Sequence, residues 1–219
     1  MLKLAIFDMD GLMFDSERIY VEHFFSNGKR LHVHVDKQAL YRAIGTNECD
    51  LNSMFPGPLP AGMSRMQFYQ DSIDLSTDWM CSHGVPKKPG LDDLLAYLKA
   101  SRIPAALATS TLYRRAERLL KCAGVFSCFD CIITGDDITH GKPDPEIFIL
   151  ACSRMHVAPQ DAVVFEDSSN GARAAINGHI PVIVCPDLKQ PEPDVCANAY
   201  RIVSSLEEVP GILADSAGL

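Results

Sequence analysis

Three carboxylates, Asp8, Asp10 and Asp15, fall within eight residues of the stretch LAIFDMDGLMFDSE, which opens at Leu4. The apolar run Leu2 to Phe7 just before them is the pattern of a buried strand, so the acids stand where a strand ends. Two other apolar runs end in the same way: Ala105 to Ala108 leads into Thr109 and Ser110, and Ala162 to Phe165 leads into Glu166 and Asp167. Polar residues at one strand end are ordinarily caps and turns. Acids on two strands and a hydroxyl pair on a third would converge on one crevice if the strands are parallel, because ligands of open parallel sheets bind outside the carboxyl ends. Carboxylates held that close repel one another unless a cation joins them, and hard oxygen ligands with open positions suit Mg²⁺. Asp8 and Asp167 would supply side-chain oxygens, and Asp10 either its carboxylate or its backbone carbonyl. Mg²⁺ often takes a substrate phosphate as a further ligand, and Thr109, Ser110, Lys142 and the amides of the following helix offer donors to such an anion. A carboxylate nucleophile could then form an aspartyl phosphate, with a second acid two residues on protonating the leaving oxygen.

Two more apolar runs, Cys131 to Thr134 and Val182 to Val184, complete five strands. From the second strand onward each is spaced from the next by enough residues for a helix. The helices announce themselves at their ends: Leu91, Leu94, Leu95 and Leu98 recur periodically after Pro89 and Gly90, and TLYRRAERLLKCAG stops at Gly124. Asp144 reads as an N-cap with Pro145 at the first helical position, and DSSNGARAAINGH runs from capping residues to Gly178. This alternation predicts an α/β fold with a doubly wound, Rossmann-like parallel sheet. About 95 residues separate the first strand from the second, far more than a crossover needs. Helical pieces are expected there over Glu17 to Ser26, Asp36 to Ile44, after Thr46, and Ser64 to His83, broken by Gly57, Pro58, Pro60 and Gly62. The expected organisation is a core of residues 1–15 and 87–219 with a helical cap domain, 16–86, inserted through linkers near Asp15 and Pro86 to Pro89.

At 219 residues, with 47% hydrophobic and 22% charged, the chain has the make-up of a globular protein with a sizeable core. A formal charge of -8 argues against a binder of nucleic-acid backbones. No leader pattern and no apolar stretch of bilayer length is visible, so the expectation is a cytoplasmic monomer whose partner is a small phosphorylated metabolite, neither nucleic acid nor membrane. The eight cysteines sit mostly in apolar segments and read as reduced, buried thiols. Cys128 and Cys131 form a CxxC without the second pair or histidines that a zinc site needs, and on a strand entry rather than the helix start of a redox pair.

FDMDG at Phe7 to Gly11, ALATST at Ala106 to Thr111, GKPDPEIF at Gly141 to Phe148 and VVFEDSSNG at Val163 to Gly171 resemble the four ordered motifs of the haloacid dehalogenase (HAD) superfamily. The place of the insert resembles the helical cap of the branch that holds beta-phosphoglucomutases and small phosphatases. The resemblance implies that Asp8 is the nucleophile and Asp10 the general acid and base. It further implies that Thr109 and Lys142 bind the transferring phosphoryl, that Mg²⁺ is held by Asp8, Asp167 and the Asp10 carbonyl, and that Glu166 stands in the outer metal shell; Ser110 would touch the phosphate with its side chain, or with its backbone amide alone while the hydroxyl caps a helix. Asp15 then marks the hinge into the cap. The mutases of this branch use a cap histidine soon after the first motif. Here that position looks like Tyr20, with His23 one helical turn on, which favours hydrolysis. HGKPDPEIFILAC and VVFEDSSNGARAA are similar to the pseudouridine 5'-phosphatase branch, so a sugar or nucleoside monophosphate is the expected substrate. A phosphosugar mutase, or a phosphate-sensing regulatory domain like a response-regulator receiver, are the alternatives.

In the cap, Arg42, Gly45 and Thr46 could form a specificity loop at the mouth of the site; a surface helix ending at Gly45 is the equal alternative. His140 reads as a loop residue, Trp79 and Met80 as packing of the long cap helix, and Arg114, Arg115 and Arg118 as a solvated helix face.

Overall fold

The computed structural model describes residues 2–43 and 50–215. Its centre is a six-stranded, all-parallel sheet in the order β3-β2-β1-β4-β5-β6. The strands are β1 (Leu4–Phe7), β2 (Ala105–Ala108), β3 (Cys131–Ile133), β4 (Ala162–Glu166), β5 (Val182–Val184) and β6 (Arg201–Ile202). Five of them were legible as apolar runs. The sixth is two exposed residues on the sheet edge, too short and too polar to give a periodic signal.

Side chains alternate across the strands, so each face of the sheet buries its own cluster. Ala5, Phe7, Leu107, Val163 and Phe165 pack one way, onto α5 (Leu91–Ala100) and α6 (Tyr113–Cys122). Leu4, Ile6, Ala106, Val164 and Val182 pack the other way, onto α7 (Glu146–Arg154) and α8 (Ser169–Asn177). Two further helices, α9 (Pro193–Asn198) and α10 (Val209–Asp215), close the chain around β6. Helix α7 starts one residue later than expected, with Pro145 in the capping place, while the Asp144 carboxylate still accepts from the Glu146 amide at 2.9 Å. Ser168 caps α8 as expected, accepting from the Gly171 amide.

Between β1 and α5 lies the helical insert: α1 (Ser16–Leu31), α2 (Lys37–Ala43), α3 (Leu51–Met54) and α4 (Arg65–His83). Its helices bury a separate cluster that includes Phe24, Leu40, Met54, Phe55 and Phe68. The two linkers run antiparallel and are hydrogen-bonded to each other. The Asp15 amide donates to the Pro86 carbonyl at 2.9 Å, and that of Lys88 to the Met13 carbonyl at 2.8 Å. Arg18 and Lys88 both reach the buried carboxylate of Asp187, each at 2.7 Å.

The cysteine expectation needs correcting. Cys81 at the end of α4 and Cys122 at the end of α6 form a disulfide that joins insert to core, and Asp78 pairs with Arg118 along the same seam at 2.5 Å. Residues from two domains 41 positions apart give no local spacing to read. Among the described residues, Cys128 and Cys196 are exposed, Cys131 is half-buried, and Cys152 and Cys185 are buried free thiols. No described helix is long and apolar enough to cross a membrane.

Phe165 is fully buried, with its ring 4.8 Å from that of Phe7 at the centre of the sheet. Replacing it with Ala should cost about 3–5 kcal/mol of stability, read as a lower denaturant midpoint at unchanged slope. A loss under about 1 kcal/mol would contradict this account of the core.

Candidate active site

Because β1 lies between β2 and β4, the residues that follow these three strands are neighbours in space. Asp8 follows β1, Thr109 follows β2, and Glu166 ends β4 with Asp167 next. All four are buried. Together with Asp10, Ser110 and Lys142 they line one cavity of about 340 Å³, roofed by the insert.

Lys142 enters from the loop before α7 and is itself buried. Its ammonium contacts the Asp8 carboxylate, donates to Glu166 Oε1 at 2.7 Å, and lies 4.9 Å from the centre of the Phe148 ring. Burial alone would discharge this lysine, but Asp8 and Glu166 more than reverse that and hold it protonated. Glu166 Oε2 accepts from the amides of Asp167 and Ser168, each at 2.9 Å, and from the Ser168 hydroxyl at 3.0 Å.

Ligand oxygens of Asp8, Glu166 and Asp167 all lie within 4.8 Å of one another, a group that could hold a metal ion. Three acids against one lysine leave the cluster short of positive charge. Burial pushes the Asp8 carboxyl up to about 7, with Lys142 pulling down and Glu166 pushing further up. Asp167 is raised well above the carboxylate range, by burial first and then by Glu166 and Asp8. A hard divalent cation relieves this strain, so the donor set fits one. Two glycines make the cluster possible. Gly11, at φ +84°, and Gly171 in the first turn of α8 pass so close that a Cβ on them would overlap the carboxylates of Asp167 and Glu166 respectively.

The Asp10 side chain points away from that cluster. Its Oδ1 accepts from Ser16 at 2.6 Å and Tyr20 at 2.9 Å, and its Oδ2 from Thr111 at 2.7 Å. Both oxygens of the Asp10 carboxylate are thus engaged by hydroxyls. Ser16 and Tyr20 belong to α1 of the insert and Thr111 to the core, so the acid sits on the seam between them. The phenol of Tyr20 is held protonated by burial and by the adjacent Asp10. His23 is turned elsewhere, with Nδ1 on the Ile19 carbonyl and its ring 5.8 Å from Trp79.

Several residues of the site had no sequence signal. Arg115 does not sit on a solvated face: it is half-buried, lines the cavity, donates to Thr111 at 3.0 Å and lies 5.8 Å from the Tyr20 ring. Arg118 is likewise engaged, with Asp78. Glu17, Tyr20, Val21 and Phe24 all line the cavity, and their spacing places them on one face of α1. That periodicity was the available clue. Arg42 is exposed and not among the lining residues, and its carbonyl accepts from Lys189 at 3.1 Å. Gly45 and Thr46 lie outside the described residues.

A family model of the haloacid dehalogenase-like hydrolases matches residues 5–185. The chain belongs to this family. Its relatives among the HAD-like hydrolases include the phosphorylated carbohydrates phosphatase of Thermotoga maritima, 32% identical over 174 residues and 80% of each chain. The validoxylamine A 7'-phosphate phosphatase of Streptomyces hygroscopicus subsp. limoneus is 31% identical over 186 residues, covering 80% of this chain and 81% of that one. Among solved structures, CbbY from Rhodobacter sphaeroides in complex with xylulose-1,5-bisphosphate superposes with a TM-score of 0.80 at 27% identity, over 95% of this chain and 96% of that one. The chain is thus a hydrolytic enzyme of the HAD-like type with the expected α/β core.

Two substitutions probe the geometry. Gly171→Ala should displace Glu166, and with it Lys142, lowering turnover about 100-fold while the far-ultraviolet circular dichroism is retained. Tyr20→Phe removes one of three donors to Asp10, worth about 1 kcal/mol, and should lower kcat roughly fivefold. Unchanged kcat in Tyr20→Phe would detach Tyr20 from the chemistry.

Proposed function

We propose that this HAD-family hydrolase is a Mg²⁺-dependent phosphatase of small phosphomonoesters, a sugar or nucleoside monophosphate, working through an aspartyl phosphate on Asp8. The observation that carries the reading is the pairing of a nucleophile with its acid: Asp8 lies in the charged cluster at the floor, and Asp10, two residues on, is held above it by three hydroxyls.

Lys142 lies against Asp8, and together with Thr109 and the amide of Ser110 it would neutralise and orient the phosphoryl group. An oxygen of Asp8 attacks phosphorus in line as the bond to the leaving oxygen breaks. Asp10 delivers its proton to that oxygen, releasing the alcohol. Asp10 then takes a proton from a water molecule whose oxygen attacks the same phosphorus, which frees Asp8 and yields inorganic phosphate. Asp8, Asp167 and the Asp10 carbonyl would hold the Mg²⁺, which supplies charge stabilisation to the phosphoryl oxygens. Glu166, with both oxygens already engaged, acts on the second row by holding Lys142 and the Asp167 amide.

The phosphosugar mutase is the second reading, because the same core could return a phosphoryl group to a reoriented substrate. Tyr20 on Asp10, where that chemistry would want a histidine, counts against it. Phosphate release from a panel of sugar and nucleoside monophosphates, with Mg²⁺ and with chelator, tests the proposal. Metal-dependent release is expected, and Asp8→Asn should lower it by about 10³-fold or more while the fold is kept. Conversion of glucose 1-phosphate to the 6-phosphate without phosphate release would instead establish the mutase.

A further inference from the structure

The hydrogen bonds on Asp10 are divided unevenly between its two oxygens. Ser16 and Tyr20 both donate to Oδ1, whereas Thr111 alone donates to Oδ2. A carboxylate offers about four acceptor sites, two on each oxygen, so the site left open is on Oδ2. A proton carried by Asp10 therefore sits on the oxygen that Thr111 holds. Thr111 is also the one donor of the three that belongs to the core rather than to α1.

Thr111 is itself held. Its hydroxyl has a single proton to give, and Arg115 decides where that proton goes. The Arg115 Nη2 donates into Thr111 Oγ1 at 3.0 Å, and the same oxygen donates onward to Asp10 Oδ2 at 2.7 Å. A guanidinium has donors and no acceptor, so the hydroxyl proton cannot turn toward it and is left to Asp10. The chain from Arg115 through Thr111 to Asp10 runs in one direction, and each bond polarises the next. The guanidinium also lies 5.8 Å from the ring centre of Tyr20, whose hydroxyl is a second donor to Asp10.

The placing of Arg115 differs from that of the arginines that hold the fold together. Arg18, Arg118, Arg154 and Arg173 each pair with a carboxylate. Arg115 lines the cavity with no such pair among the described residues, and its buried Nε has no hydrogen-bond partner. A buried donor left unsatisfied costs stability, so the side chain is held there by something other than its own pairing.

Resting on the phosphatase reading with Asp10 as its acid, we propose that Arg115 is a positioning residue for proton delivery. Through Thr111 it fixes Asp10 Oδ2, from which the proton passes to the ester oxygen as the bond from that oxygen to phosphorus breaks. Arg115 keeps its own protons throughout. Its influence is felt where the leaving group needs a proton. An alkoxide leaves poorly without one, whereas p-nitrophenolate spreads its charge over the ring and nitro group and leaves unaided.

The experiment measures kcat/KM with Mg²⁺ on p-nitrophenyl phosphate and on ribose 5-phosphate, glucose 6-phosphate and uridine 5'-monophosphate. The readout is the ratio of the best alkyl ester to p-nitrophenyl phosphate. Arg115→Met keeps the apolar stem and removes the donors; it should lower the ratio about fivefold or more. Arg115→Lys, which still carries a donor, should keep more of the ratio than Arg115→Met. Thr111→Val should lower the ratio at least as far as Arg115→Met, and adding Arg115→Met to it should change the ratio by less than about twofold, because the arginine acts through that hydroxyl. A ratio in Arg115→Met within about twofold of the parent would overturn the inference, as would losses that multiply in the double variant. A parent active on p-nitrophenyl phosphate alone would overturn it too, since no proton is then being delivered. A parent that hydrolyses none of the four esters would overturn the phosphatase reading itself and this inference with it.

Discussion

Lys142, wedged between Asp8 and Glu166, is the contact on which the rest of the site depends. Acids this deep can stay charged only if positive charge is brought to them, and a single ammonium is what the chain itself brings. The lysine in turn stays charged only because both acids are there. Removing one member would strand the others, so the arrangement is cooperative. It also dictates the backbone around it. The loop after β1 and the start of α8 must come close enough to crowd Asp167 and Glu166, which is why side chains are absent at Gly11 and Gly171.

The second acid obeys a different logic. Asp10 is stabilised by neutral hydroxyls rather than by a cation, and two of the three come from the insert. Its orientation therefore depends on how the insert is seated, whereas that of Asp8 depends on the core, through the end of β1 and Lys142. Two carboxylates two residues apart thus answer to two different bodies of the protein. The difference between the two carboxylates follows from where their hydrogen-bond partners are anchored.

Much of this was readable before any coordinates. Strands buried on both faces give continuous apolar runs, so β1 to β5 and the polar groups at their ends stood out, and with them Asp8, Thr109, Glu166 and Asp167. Lys142 was named as a possible donor to an anion, but its place against Asp8 rested on the resemblance of its motif, because nothing local distinguishes it from a loop lysine. The insert was harder. Its helices were visible, but the face each presents was not, so Arg42 was offered as evenly as a surface helix, while Glu17 and Phe24, which line the cavity, were not singled out. Arg115 was misread because charge on a helix looks solvated until a neighbouring domain covers it. Thr111, the Cys81–Cys122 pair and the Asp78–Arg118 pair depend on contacts between segments distant in sequence, which no periodicity reports.

The paired linkers have a mechanical consequence. A domain hung on two independent strings can slide, tip and twist, whereas here the strings are laced together by the Asp15–Pro86 and Lys88–Met13 hydrogen bonds and stapled to Asp187 by Arg18 and Lys88. Lacing removes the sliding freedom, and the Cys81–Cys122 disulfide with the Asp78–Arg118 pair pins the insert to the core at a second place, which opposes rotation about the ribbon. Asp10 lies at one end of that ribbon and Tyr20 on the insert, so this carboxylate and one of its donors are kept in register by a joint fastened at two separate places.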